Sequence, residues 1–66
     1  MNVVMNGEPR TVREGATLAD LLVELGLEGR PLAVEHNLHV VPKSKFRETR
    51  LAEGDRLEIV QAVGGG

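Results

Sequence analysis

Leu18, Leu21, Leu22 and Leu25 recur at i, i+3, i+4 and i+7, and both ends of the run are marked. Thr17 stands where an N-cap side chain accepts from first-turn amides. Asp20, three residues on, can return a hydrogen bond to the Thr17 amide and favours the positive end of the helix dipole. Gly26 supplies the left-handed residue that stops a helix, and Leu27 can fold back as the apolar contact of a Schellman-type ending. The spacing predicts a helix over 17–27. One helix with one apolar stripe must bury that stripe on another layer. In a chain of 66 residues without cysteine, no disulfide can substitute for that layer.

The layer is a sheet. Met1, Val3 and Met5 alternate with Asn2, Val4 and Asn6, the period of a strand with one buried face. Asn6-Gly7 then predicts a hairpin, because both central positions of the favoured turn need positive φ. Residues 8–13 read as the return strand, and Pro9 puts its start on a sheet edge. After the helix, Gly29-Arg30-Pro31 makes a loop. Two short strands, 32–35 and 38–41, flank His36-Asn37, and Pro42 ends the second. Residues 43–50 are polar, basic and irregular, with one helical turn and Phe46 pinning them to the core. Glu53-Gly54-Asp55 is a turn, and residues 56–61 form the last strand with Leu57 and Ile59 on one face. The order gives an α+β domain: a mixed sheet of four to five strands with the helix across it. The four leucines are expected to pack on Met1, Val3, Met5, Val12, Leu57 and Ile59. Burial of each such side chain stabilises by about 1.5–3 kcal/mol.

Several function classes are disfavoured. Eight Lys and Arg against ten Asp and Glu leave a net charge of −2, without the cationic excess that duplex DNA or an anionic membrane selects. Phe46 is the one aromatic residue, so no stacking platform for single strands exists. No apolar run is long enough for a signal peptide or a membrane span, and the default compartment is the cytoplasm. His36 and His39, three apart, would point to opposite faces of a single strand. They read as two ordinary surface histidines, with no metal expected. Lys43, Lys45, Arg47 and Arg50 read as a solvated basic loop, with partner docking as the sharper alternative. Asp20 and Glu24 mark the solvent side of the helix. No Ser-His-Asp, phosphate-loop or paired-carboxylate arrangement can be assembled.

Gly64-Gly65-Gly66 is different in kind. Glycine loses more conformational freedom on ordering than any other residue, so three in succession do not serve the fold. Without side chains they can thread a channel too narrow for a Cβ, and residues 63–66 extended reach about 13–14 Å. The reactive group is then the carboxylate of Gly66. A carboxylate is a poor electrophile; activation as an acyl-adenylate by a partner's ATP and Mg²⁺ supplies a leaving group, and a sulfur nucleophile would convert the end to a thiocarboxylate. A chain without cysteine has no internal thiol to intercept that activated end.

These residues resemble the ThiS sulfur carriers of thiamine biosynthesis, small members of the ubiquitin-like β-grasp superfamily. The resemblance is carried by Asn6-Gly7-Glu8, Thr17-Leu18-Ala19-Asp20-Leu21-Leu22, Val34-Glu35-His36-Asn37, Val40-Val41-Pro42, Gly54-Asp55-Arg56-Leu57-Glu58-Ile59-Val60 and Val63-Gly64-Gly65-Gly66. The common family ending is two glycines; the third bears on how deep the tail reaches, not on which atom reacts. The resemblance implies that the first and last strands pair in parallel beneath the helix. It implies a ThiF-like adenylating enzyme acting on Gly66, sulfur drawn from cysteine through a desulfurase, and delivery to ThiG thiazole synthase. The chain would be a consumed and recharged co-substrate, not an enzyme, binding no cofactor itself.

The expected division is a β-grasp domain over 1–62 and a flexible tail over 63–66. If Leu57 and Ile59 face the helix, Val4, Val60 and Ala62 emerge on the opposite face. Val4 and Val60 would then seat the body on the adenylating enzyme, with Val63, Gly64 and Gly65 entering its channel. Two other functions use the same ending: a MoaD-type carrier for molybdopterin synthesis, and a ubiquitin-like modifier joined to lysines.

Overall fold

The computed structural model describes residues 1–61. Five strands and one α-helix follow in the order β1 (Asn2–Met5), β2 (Glu8–Thr11), α1 (Leu18–Glu24), β3 (Leu32–His36), β4 (His39–Val40) and β5 (Arg56–Gln61), with a 3-10 turn at Lys43–Lys45. The strands form one mixed sheet in the order β2-β1-β5-β3-β4. The last strand is therefore the central one. It runs parallel to β1 (Val4 beside Arg56, Met5 beside Leu57) and antiparallel to β3 from Leu57 to Gln61. This is the mixed-sheet, one-helix architecture expected of a β-grasp fold.

The helix forms where its local signals place it. Thr17 Oγ1 accepts from the Asp20 amide at 3.2 Å, and the Thr17 amide donates to Asp20 Oδ2 at 2.9 Å, a complete capping box. The bond from the Thr17 amide is the largest of the effects holding the Asp20 carboxyl below its usual range. The stop is equally complete: Gly26 adopts φ +71°, its amide donates to the Val23 carbonyl, and the Leu27 amide reaches the Leu22 carbonyl at 2.8 Å. Two further first-turn amides, of Leu18 and Ala19, donate to the carbonyls of Thr49 and Phe46. Those bonds tie the irregular basic segment to the helix start.

Val3, Val12, Leu18, Leu21, Leu22, Val34, Leu51, Leu57 and Ile59 make the core. The expected list is corrected in three places. Met1, Met5 and Leu25 are only half-buried, because they lie at the margins of the helix–sheet contact. Val34 enters the core as the register partner of Ile59. Leu51 enters because its amide is held by the Ala16 carbonyl at 3.0 Å. The return strand ends at Thr11 rather than residue 13, since its partner β1 runs out at Met1, whose ammonium donates to the Val12 carbonyl at 2.8 Å.

The second hairpin also differs by one residue from the sequence reading. His36 pairs with His39, and the two-residue loop is Asn37-Leu38, with φ +50° and +73°. This matches the first hairpin, where Asn6 and Gly7 take φ +51° and +82°. Both carry the φ signature of a type I′ turn.

Candidate functional site

β5 is the last element among the described residues. Gln61, its last residue, lies beside Leu32 at the start of β3. Ala62, Val63, Gly64, Gly65 and Gly66, which include the predicted reactive end and the proposed domain boundary, lie outside the described residues.

The strand carrying that end is held at three points. At its start the parallel ladder is formed, with the Val4 amide donating to Asp55 and the Asn6 amide to Leu57, each at 2.8 Å. Past Leu57 the first strand turns away, and the Asn6 side chain takes its place. Asn6 Oδ1 accepts from the Ile59 amide at 2.8 Å and Asn6 Nδ2 donates to the Ile59 carbonyl at 3.1 Å. One amide side chain thus continues the ladder where backbone no longer can. Sequence reasoning assigned Asn6 only to the turn; its reach onto a residue 53 positions later has no local signal.

The third point is a corner built on Asp55. Its carboxylate meets His36 Nε2 at 2.7 Å, Asn37 Nδ2 at 3.1 Å and the Ala52 amide at 2.8 Å. Asn37 Oδ1 in turn accepts from the Arg56 amide at 2.9 Å. Burial pushes the Asp55 carboxyl up, but the hydrogen bonds from His36, Asn37 and Ala52 together hold it below the usual carboxylate range. The expectation of two ordinary surface histidines is corrected for His36, which is tied into this corner. The reason the two rings were separated is also corrected. A turn lies between them, so they are cross-strand partners on one face. Among the described residues, no group of three or more His, Cys, Asp or Glu side chains could hold a metal ion.

Val4 and Val60 share the sheet face away from the helix, as expected, but they are not neighbours. Val4 sits beside Arg56, and Val60 lies four residues further along β5, about 13 Å at strand spacing. Val4 is half-buried, whereas Val60 is 61% exposed and lies opposite Ala33. Between them Glu58 faces Glu35. Val60 thus stands at the exit end of β5, with the exposed Val40 on the neighbouring hairpin, and Val4 at the far end near Leu38. The sequence did not single out Val40 or Leu38; their exposure follows from the short, two-residue β4 at the sheet edge.

The sequence matches the ThiS family over residues 3–66, which takes in the terminal glycines. The chain belongs to the ThiS family. A sulfur carrier protein ThiS from Thermus thermophilus is 38% identical over 64 residues, covering 97% of this chain and 98% of that one. A thiazole synthase from Paramagnetospirillum magneticum is 47% identical over all 66 residues. The ThiS-family chain spans only 20% of the length of that synthase. The crystal structure of a thiamine biosynthesis protein, ThiS, from Geobacter metallireducens superposes with a TM-score of 0.85 at 33% identity, covering 100% of both chains. The Thermus thermophilus relative, matched nearly end to end, is named a sulfur carrier, not an enzyme. No helix among the described residues of this ThiS-family chain is long and apolar enough to cross a membrane.

Proposed function

We propose that the chain is a sulfur carrier for thiazole formation in thiamine biosynthesis and that the Gly66 carboxylate is its working group. The observation that carries this reading is the family match running through residue 66. The relationship to a named sulfur carrier and to thiazole synthases supports it. In the proposed sequence, a ThiF-like enzyme binds ATP and Mg²⁺, and the Gly66 carboxylate attacks the α-phosphorus with loss of pyrophosphate. The acyl-adenylate then has AMP as leaving group; a persulfide loaded from cysteine by a desulfurase displaces it to give an acyl disulfide, and a second thiol attacks that disulfide, supplies the two electrons and releases the thiocarboxylate. The thiocarboxylate gives its sulfur to the substrate of a ThiG-like thiazole synthase, takes an oxygen from that substrate or from water in exchange, and returns as the carboxylate.

The body's part in this reading is to deliver the end at a fixed place. Hydrogen bonds from Asn6 and pairing with β3 fix β5 as far as Gln61. Val60, exposed at that end, and Val4, at the other, are the proposed contacts with the adenylating enzyme. Val63, Gly64 and Gly65 are the residues that enter its channel.

Intact-protein mass spectrometry after incubation with ATP, the adenylating enzyme and a sulfur source tests the reading. A chain heavier by the exchange of one oxygen for sulfur is expected, and an unchanged mass rules it out. Gly65→Ala is expected to abolish adenylation without altering the melting temperature. Deleting Gly66 leaves a terminal diglycine and is expected to retain partial activity. Val60→Glu is expected to weaken the complex with the adenylating enzyme at constant thermal stability, by calorimetry. Covalent conjugates to lysines on a gel, in place of the mass change, would instead identify a modifier.

A further inference from the structure

The half-buried side chains of Leu27, Leu32 and Phe46 meet the buried Leu22 in a cleft of about 170 Å³ between the end of α1, the start of β3 and the 3-10 turn. Arg30, Lys43 and Arg47 line the same cleft, against a single acid, Glu28. The basic segment seen in the sequence thus divides. Lys45 is paired with Glu48 at 3.2 Å, whereas Lys43 and Arg47, joined by Arg30 from a separate loop, form no ion pair among the described residues. In a chain of net charge −2, three cations without an ion-pair partner converge on an apolar floor left open to solvent.

We propose that this cleft docks an acidic segment of a partner protein, which inserts one large apolar side chain. An apolar cavity of about 150 Å³ accommodates benzene, so the space suits one phenyl or isobutyl group. The apolar anchor supplies affinity, and the cationic rim selects flanking Asp or Glu and speeds encounter. The cleft uses α1 residues and so lies on the helix side of the sheet, opposite Val4 and Val60. A protein seated there does not compete with one on the outer face. It nevertheless lies beside the last described residue, because Leu32 in its floor is the register partner of Gln61. None of this depends on the chemistry proposed for Gly66.

The test is a titration of the full-length ¹⁵N-labelled chain with the peptide acetyl-Asp-Glu-Phe-Glu-Asp-amide, followed by amide chemical shifts. Saturable shifts confined to the surroundings of Leu22, Leu27, Leu32 and Phe46 are expected. Replacing the peptide's Phe by Ala, or its acids by Asn and Gln, should each weaken binding about fivefold or more. The variant Lys43→Glu with Arg47→Glu should weaken it about tenfold, as expected for reversing two surface charges. Both residues are exposed, and unchanged shifts in β1 and β2 verify the fold; Arg30→Glu provides a second variant. Four results would overturn the proposal. The first is no shift of these amides by the peptide at millimolar concentration. The second is an equal shift caused by inorganic phosphate. The third is movement of the same amides with protein concentration alone, which identifies a second copy as occupant. The fourth is their movement when the chain is shortened after Gln61, which identifies its own terminus.

Discussion

The two hairpin turns make an instructive pair. Each is a two-residue loop with both residues at positive φ, and each begins with asparagine. In each the asparagine side chain crosses to β5 or the residue before it, Asn6 at Ile59 and Asn37 at Arg56 and Asp55. They differ at the second position. The first turn has Gly7, for which φ +82° carries no steric cost; the second has Leu38, held at φ +73° although 74% exposed. The first turn is specified by its own two residues. The second exists because the Asp55 corner holds Asn37 from the side and the backbone of Leu38 follows. Local chemistry builds one turn; long-range hydrogen bonding imposes the other.

Removing the corner should have the largest effect. Asp55→Ala deletes the acceptor for His36, Asn37 and the Ala52 amide, and should cost about 2–3 kcal/mol in urea unfolding. A loss below about 0.5 kcal/mol would mean that the second turn stands unaided, and the contrast would fail. Acid provides an independent check. The Asp55 carboxyl titrates lower in the folded chain than in the unfolded one, so the unfolded state binds its proton first as pH falls. The contribution is therefore complete above the ordinary carboxylate value near 4 and is lost as pH falls through the lower native value. Stability measured from pH 6 down to about pH 2.5 should fall less steeply for Asp55→Asn than for the parent chain.

A smaller loss is expected at the first turn. Asn6→Gly keeps the left-handed backbone but gives up both bonds to Ile59, at a cost of about 1–2 kcal/mol. Its signature is local: hydrogen exchange at the Ile59 amide should accelerate while the Asn6 amide, bonded to Leu57, stays protected. Equal acceleration at both would show that the side chain supports the turn and not the root of the tail.

The same division explains what the sequence made legible. The helix is readable from end to end, because Thr17, Asp20, Gly26 and Leu27 all act within one turn of where they stand. The alternation of Leu57 and Ile59 shows which face of β5 is buried, and the terminal glycines mark the end of the chain as the candidate site. The central position of β5 is not readable, since parallel pairing of residues about 52 apart leaves no local periodicity. The second hairpin is displaced by one residue in the sequence reading because leucine does not announce a left-handed position. The histidines move with that displacement: opposite faces hold for residues three apart within one strand, and a turn lies between these two. Val4 and Val60 share the outer face that alternation predicts, yet their separation along β5 depends on a register that only the folded sheet supplies.

The smallest effect is the most discriminating. Leu38 makes no core contact, so its left-handed backbone is strain without compensating burial. Leu38→Gly removes a cost of about 1–2 kcal/mol, against which glycine's extra freedom in the unfolded chain returns about 0.5–1 kcal/mol. A net gain of about 0.5 kcal/mol is expected, readable as a rise of about 2–4 °C in melting temperature for a domain this small. In the Asp55→Ala background the gain should be larger, because the turn must then form without the corner and its own preference matters more. An equal gain in both backgrounds would show that the corner and the turn are independent. A loss in the parent chain would show that the leucine side chain packs on the hollow it lines with Val4 and Arg56, and that the second turn is specified by contacts of its own.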